Sequence, residues 1–272
     1  MRIRLSRELE IGGGAPLALI AGPCVIESAS HAGWLAWEIA KAAGPCIFKA
    51  SFDKANRSSA SAYRGPGITE GLAILSAIRR EGFLTLTDIH EPAQAELAAA
   101  AVDILQIPAF LCRQTDLLLA AGRTGKVVNI KKGQFVAPQD MARAIEKVTS
   151  TGNHQIILTE RGTSFGYHNL VVDMRGLQIM RSFGFPVVFD ATHSVQLPGA
   201  SGAGSGGQPQ FIETLARAAV ATGIDGVFVE VHHDPAQALS DGANALRLDE
   251  LPVLLGRLRL LADLVNTFSL EQ

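Results

Sequence analysis

Eight short apolar runs, and alanine- and leucine-rich stretches of helical period alternating with them, predict a parallel α/β barrel. The class is a (β/α)8 or TIM barrel with an N-terminal β-hairpin cap, and 272 residues suit a single such domain over 1–272. An open doubly wound sheet, the structural competitor, calls for a glycine-rich dinucleotide loop after its first strand. Gly22-Pro23-Cys24 is not that loop.

Residues 2–5 and 8–11 alternate polar and apolar side chains ahead of Gly12-Gly13-Gly14, the pattern of a hairpin capping the amino-terminal end of the barrel. Strands are then expected over 17–21, 46–49, 83–88, 104–107, 127–131, 156–161, 187–190 and 227–230, all short and rich in β-branched and other apolar residues. Helices are expected over 30–43, 70–80, 91–101, 138–150, 170–183 and 209–221, where apolar residues return with helical period. The one low-complexity segment, 198–207, lies between strands seven and eight. Strand and helix patterns resume at once on both sides, so it reads as a mobile loop over the barrel mouth and not as an interdomain linker. There is no internal repeat.

Hydrophobic residues make up 47% of the chain and charged ones 18%, ample for a large core and unlike a disordered composition. With net charge −2 and no basic run longer than two residues, nucleic acid and anionic membranes are poor partners. Cys24, Cys46 and Cys112 are odd in number and form no C-x-x-C pair, so no disulfide framework is expected and a reducing cytoplasm is the expected home. The first residues lack an apolar signal region, and no run nears the roughly 18 apolar residues of a membrane span.

A barrel of this kind builds its active site from the carboxyl ends of its strands. In order, those ends carry Cys24, Lys49, Asp88, Gln106, Lys131, Glu160 with Arg161, Asp190 with His193, and Glu230. Charged residues often end strands merely to meet water, so the convergence of all eight carries the weight. Four of the seven lysines, Lys49, Lys54, Lys131 and Lys132, follow strands two and five, and with Arg57, Arg113 and Arg161 they are expected to ring one mouth. Such a ring on a net negative chain predicts a small substrate with more than one anionic group, a phosphorylated acid or sugar. Cys24, His193, Glu230 and Asp241 form a candidate metal set, since strands seven, eight and one are neighbours in a closed barrel. Thiolate, imidazole and carboxylate together suit Fe²⁺, Zn²⁺ or Mn²⁺ better than Mg²⁺ or Ca²⁺. On residues alone Cys24 stays open as packed core residue, nucleophile or ligand, because a buried free cysteine is commonly just a small core residue.

Five stretches resemble one family. They are 48–59 (FKASFDKANRSS), 106–116 (QIPAFLCRQTD), 131–135 (KKGQF), 159–162 (TERG) and 190–196 (DATHSVQ), and they are similar to 3-deoxy-D-manno-octulosonate 8-phosphate synthases in a likeness running from about Leu17 to Asp241. That resemblance implies a (β/α)8 barrel, usually a homotetramer, that condenses phosphoenolpyruvate with D-arabinose 5-phosphate and water to supply lipopolysaccharide assembly. It implies that Lys49, Lys54, Gln106, Lys131 and Arg161 bind phosphoenolpyruvate, that Asn56, Arg57 and Ser58 bind the sugar phosphate, and that Arg113 is lent by a neighbouring subunit. It also implies that Cys24, His193, Glu230 and Asp241 ligate the divalent ion of the metal-dependent branch, the other branch having asparagine at the place of Cys24. Cys24 is then a thiolate ligand and not a nucleophile, because the resemblance implies no covalent enzyme intermediate. The implied catalytic residues are His193, Asp241 and Lys131, with His193, Asp241 and the substrate phosphate as alternatives for moving the proton of water.

The sequence departs from that family at two places. Pro209 stands where arginine is usual, which bears on loop closure, and 230–235 reads EVHHDP where a single histidine is usual. His232 is expected to be solvated and outside the metal shell. The segment Ser240-Asp241-Gly242 mixes features of the two branches. Two rival functions are weighed. The related 3-deoxy-D-arabino-heptulosonate 7-phosphate synthases use erythrose 4-phosphate, but their sugar signature is of Lys-Pro-Arg-Thr type, whereas this chain has Lys54-Ala55-Asn56-Arg57-Ser58-Ser59. A catalytically dead sugar-phosphate sensor is disfavoured by the intact strand ends.

Overall fold

The computed structural model describes residues 1–57, 59–199 and 206–269. Eight parallel strands, Ala18–Gly22, Ile47–Lys49, Leu84–Asp88, Ile104–Ile107, Val127–Lys131, Ile156–Glu160, Val187–Asp190 and Gly226–His232, pair in chain order, and the eighth closes on both the seventh and the first. This is the expected barrel, strand for strand. The eighth strand runs two residues further than expected, because Val231 and His232 pair with a short added strand, Leu246–Arg247.

Helices α1 (Ala29–Ala43), α2 (Ile68–Arg80), α3 (Gln94–Ala101), α4 (Thr115–Arg123), α5 (Met141–Thr149), α6 (Met174–Arg181), α7 (Ile212–Ala221) and α8 (Leu251–Ser269) surround the strands. The sequence offers no expectation for α4 and α8. α1 begins at Ser28, whose side chain accepts from the His31 N–H, and ends at Gly44 with φ 74°. α6 starts four residues later than its periodicity predicts. Leu170–Val171 pairs instead with Thr163–Ser164, and Asp173 caps the helix by accepting from Arg175 N–H. α5 and α7 are each preceded by a single 3₁₀ turn, Pro138–Asp140 and Pro209–Phe211. Proline fits that first position, where its missing N–H would lack a helical partner anyway. No helix among the described residues is long and apolar enough to cross a membrane.

A strand places alternate side chains on opposite faces. Inside the barrel Ile20, Ile47, Leu86, Ile104, Val127, Ile157, Val188 and Phe228 form a lower apolar layer. The hairpin Arg2–Arg4 with Glu10–Gly12 closes that end, adding Ile3, Leu9 and Ile11 to the same cluster as the sequence predicts. One step of two residues higher stand Gly22, Lys49, Asp88, Gln106, Asn129, Thr159, Asp190 and Glu230. Several of these bond side by side: Thr159 Oγ1 donates to Asn129 Oδ1 at 2.7 Å, Asn129 Nδ2 to Gln106 Oε1 at 2.8 Å, and Gln106 Nε2 to Asp88. Odd-phase residues such as Leu19, Phe48, Leu105, Val128, Leu158, Phe189 and Val229 face the helices in a second, larger core.

Gly22 ends the first strand where the chain crosses the second, and a Cβ there would strike the carbonyl oxygen of Lys49. A Gly22→Ala protein is expected to lose at least about 2 kcal/mol of stability, because backbone on both sides must move. Urea unfolding of the two proteins checks this, and equal midpoints would contradict it.

Candidate active site

The carboxyl ends of the strands open on a cleft of about 350 Å³ lined by Lys49, Lys54, Asn56, Arg57, Gln106, Lys131, Arg161, His193 and Asp241. Strand phase explains the cation supply. Lys49 and Lys131 continue the inward rows of Ile47 and Val127, and Arg161 continues that of Ile157 and Thr159. All three are buried, at 1%, 6% and 4% exposure, so none is a solvated rim charge.

Each buried lysine is paired. Lys49 Nζ lies 2.9 Å from Glu230 Oε1 and donates to the Cys24 carbonyl oxygen at 2.8 Å. Burial works against its charge, but Glu230 beside it wins and raises its pKa above the ordinary lysine value. Lys131 Nζ donates to Asp190 Oδ2 at 2.6 Å and stands 3.9 Å from the Phe228 ring centre. There burial prevails over Asp190, and the lysine pKa is lowered. Arg161 donates from Nη2 to Gln196 Oε1 at 2.8 Å, while its buried Nη1 has no protein partner. A buried guanidinium donor without an acceptor is costly, and a substrate anion supplies what it lacks.

On one side of the cleft lie the four candidate metal ligands. One ligand atom each of Cys24, Glu230 and Asp241 falls within 4.8 Å of the others. Cys24 Sγ is 3.2 Å from Asp241 Oδ2, and His193 Nε2 is 3.5 Å from Glu230 Oε1. Asp190 Oδ2 accepts from His193 Nδ1 at 2.7 Å, and the opposite nitrogen, Nε2, faces Glu230. That is the outer carboxylate–imidazole contact common at metal-bound histidines. Glu230 Oε2 is fully buried with no partner. Burial raises the Glu230 pKa, yet His193, Lys49, Lys54 and Lys131 outweigh it and hold it to about 2. Burial pushes the Cys24 thiol far up, and Asp241 and Glu230 push the same way. The thiol and two carboxylates converge with one orphaned oxygen, while His193 stands outside that trio and reaches it through Glu230 at 3.5 Å. This donor chemistry fits a divalent transition ion, whose charge would reverse the pressure on the thiol.

Asp241 is the single non-glycine residue with positive φ among the described residues, at φ 51°. Aspartate tolerates this region better than most residues, and the strain is offset by contacts. Arg57 Nη1 lies 3.7 Å and Lys54 Nζ 3.9 Å from its carboxylate, and Arg57 also donates to Ser240 Oγ at 2.8 Å.

Residues 1–264 match the DAHP synthetase I family. The chain belongs to that family. It is 62% identical over 249 residues to a protein of Syntrophotalea carbinolica, 60% identical over 263 residues to one of Trichlorobacter lovleyi and 56% identical over 263 residues to one of Geobacter sulfurreducens. The alignments cover 90%, 95% and 95% of this chain and 90%, 97% and 97% of those proteins, and each of the three is named 2-dehydro-3-deoxyphosphooctonate aldolase.

Within this family member the expected cleft residues mostly gather, with three exceptions. Lys132 is fully buried outside the cleft, 3.5 Å from Glu160 and donating to Thr163 Oγ1 at 3.0 Å. Glu160 also faces away, accepting the N–H groups of Arg161 and Gly162 at 2.8 and 2.7 Å. Both occupy the outward strand phase and are lost to the mouth that the sequence predicts. Arg113 is exposed and outside the cleft of its own chain. His232 is 3% exposed, not solvated, because the eighth strand extends through it. Ser58 lies outside the described residues, as do 200–205 of the expected mobile loop. The loop's stem is described: Gln196 and Leu197 pair with Gly207 and Gly206, and Gln208 N–H donates to Val195.

His90, Gln134 and Gln196 also line the cleft without having been expected there. Gln134 and Gln196 sit inside resembling stretches, so a signal existed; His90 has none. Asp88 accepts from Ser51 and Gln106. Burial raises its pKa, but Lys49, Lys54, His90 and Lys131 pull it well below the ordinary carboxylate value. Being ionised when folded, it stabilises the fold above the unfolded-state value of about 3.9, and that contribution is lost as pH falls below it. An Asp88→Asn protein is therefore expected to lose less stability between about pH 6 and about pH 3 than the unaltered chain. Urea midpoints at the two pH values measure the difference, and equal losses would refute this role.

Proposed function

We propose that this chain condenses phosphoenolpyruvate with D-arabinose 5-phosphate and water to give 3-deoxy-D-manno-octulosonate 8-phosphate and inorganic phosphate. The observation that carries the reading is a cleft whose buried cations, Lys49, Lys131 and Arg161, lie beside Lys54-Ala55-Asn56-Arg57 at the rim. Relatives 56–62% identical that are named 2-dehydro-3-deoxyphosphooctonate aldolase support it. Erythrose 4-phosphate is not favoured, since the rim lacks the Lys-Pro-Arg-Thr signature.

Two anionic molecules need two sets of cations. Arg161, with its free Nη1, Lys49, Lys54, Lys131 and Gln106 hold phosphoenolpyruvate in the cleft; Asn56 and Arg57 receive the sugar phosphate at the rim. In the reaction the enol carbon attacks the aldehyde carbon and forms a C–C bond, and the aldehyde oxygen takes up a proton. Water adds to the cationic enol-phosphate carbon and releases a proton, and the adduct then expels inorganic phosphate to leave the ketone. Cys24, His193, Glu230 and Asp241 would hold a divalent ion of the Fe²⁺, Zn²⁺ or Mn²⁺ class. Such an ion supplies polarisation of an oxygen or a more acidic water. His193, Asp241 or the substrate phosphate takes the proton of water, and Lys131, held by its 2.6 Å bond to Asp190, is the third catalytic residue. A homotetramer in which the exposed Arg113 serves a neighbouring subunit, and a cytoplasmic location, complete this reading.

Phosphate release from phosphoenolpyruvate is expected with arabinose 5-phosphate and not with erythrose 4-phosphate, to stop on chelation and to return with added divalent metal. Turnover with the four-carbon sugar alone would overturn the substrate assignment. Full activity of Cys24→Ala in metal-free buffer would end the ligand role of the thiol. Arg161→Met is expected to lower kcat/KM for phosphoenolpyruvate by about a hundredfold, or about 3 kcal/mol, chiefly through KM. Steady-state kinetics with varied phosphoenolpyruvate reads this, and an unchanged KM would count against Arg161.

A further inference from the structure

A second cluster of metal-ligating side chains stands apart from the cleft lining. His31 lies in the first turn of α1, His232 ends the eighth strand and His233 follows it. One ring nitrogen from each lies within 4.8 Å of the others. His31 Nε2 is 3.2 Å from His233 Nδ1. Two nitrogens bound tetrahedrally to one ion at 2.0–2.1 Å stand about 3.3 Å apart, so this pair is already at ligand spacing.

The remaining nitrogens are arranged around Glu27. His31 Nδ1 is 3.8 Å from Glu27 Oε2 and His232 Nε2 is 3.4 Å from Glu27 Oε1. Both nitrogens are buried and have no hydrogen-bond partner. His232 Nδ1 accepts the Asp234 backbone N–H at 3.1 Å, which leaves its proton on Nε2 and its lone pair on Nδ1. One carboxylate thus stands beside two buried, unpartnered imidazole nitrogens, close to the outer-carboxylate arrangement of metal-bound histidines. Trp34 packs on the other side, stacked on His31 at 6.2 Å and edge-on to His233 at 5.5 Å, restricting both rings. Burial lowers the His31 pKa against the pull of Glu27, favouring the neutral ring that binds metal.

We propose that His31, His232 and His233, each offering one ring nitrogen, form a second metal site, with Glu27 orienting the rings and a fourth position open to water. Three imidazoles select Zn²⁺, Ni²⁺ or Cu²⁺ over Mg²⁺ or Ca²⁺. Such an ion also bears on the cleft, because Glu27 Oε1 accepts the Leu239 N–H at 2.9 Å, immediately before Ser240 and Asp241.

Chelator-stripped full-length protein is dialysed against Zn²⁺ and bound metal counted, and a parallel Co²⁺ titration reads the thiolate charge-transfer band of a cysteine-ligated ion. Two ions per chain are expected. The double variant His31→Ala, His233→Ala is expected to bind one and keep the thiolate band, while Cys24→Ala binds one and lacks it. Circular dichroism and Tm verify that both variants fold, and His233→Gln gives a milder second variant with weakened binding of one ion only. A single ion with the thiolate band in the unaltered protein overturns the histidine site and leaves the cysteine site standing. A second ion that survives the double variant also overturns it. Absence of any bound ion overturns both sites.

Discussion

The two-residue alternation of strands in a closed barrel is the constraint on which everything else here rests. Closure gives every strand one face toward the axis, and the interior has room only for stacked side-chain layers. The lower layer is aliphatic and sealed by Ile3, Leu9 and Ile11. The layer above is polar because nothing closes that end. The step from Ile47 to Lys49, from Val188 to Asp190 and from Phe228 to Glu230 is therefore both a step along the sequence and a step from core to chemistry.

Charges placed so deep must be neutralised locally, since an unpaired buried ion costs several kcal/mol. The pairs Lys49–Glu230 at 2.9 Å and Lys131–Asp190 at 2.6 Å meet that demand. They also share residues with the candidate ligand set, because Asp190 bonds both Lys131 and His193, and Glu230 faces both Lys49 and His193. Stability and site geometry thus depend on the same atoms. What the protein leaves unsatisfied is equally telling: Arg161 Nη1, Gln134 Oε1 and Glu230 Oε2 are buried without partners in or beside the cleft. Such groups are tolerable where a ligand completes them.

Much of this was legible in the chain itself. Periodicity placed all eight barrel strands within a few residues, and the resembling stretches contain most of the residues lining the cleft, Asp88, His90, Pro198, Gly199 and Asp241 excepted. The departures have separate origins. Lys132 and Glu160 end strands, yet phase sends both outward, where they meet each other at 3.5 Å. α6 was expected from Leu170 because a helical period continues upstream of Asp173, but a two-residue pairing with Thr163–Ser164 takes that segment. His232 was read as solvated because nothing local shows that Leu246–Arg247 will extend the eighth strand through it.

The amino-acid sequence by itself determined the barrel, the chemical inventory at its strand ends and the family, because hydrophobic period and contiguous motifs are local properties of the chain. Only the tertiary structure decided which of those groups share a space. Cys24 and Asp241 are 217 positions apart yet 3.2 Å in space, and His31 meets His233 across 202 positions. Closure of the first strand against the eighth creates both meetings, and no local pattern encodes that contact.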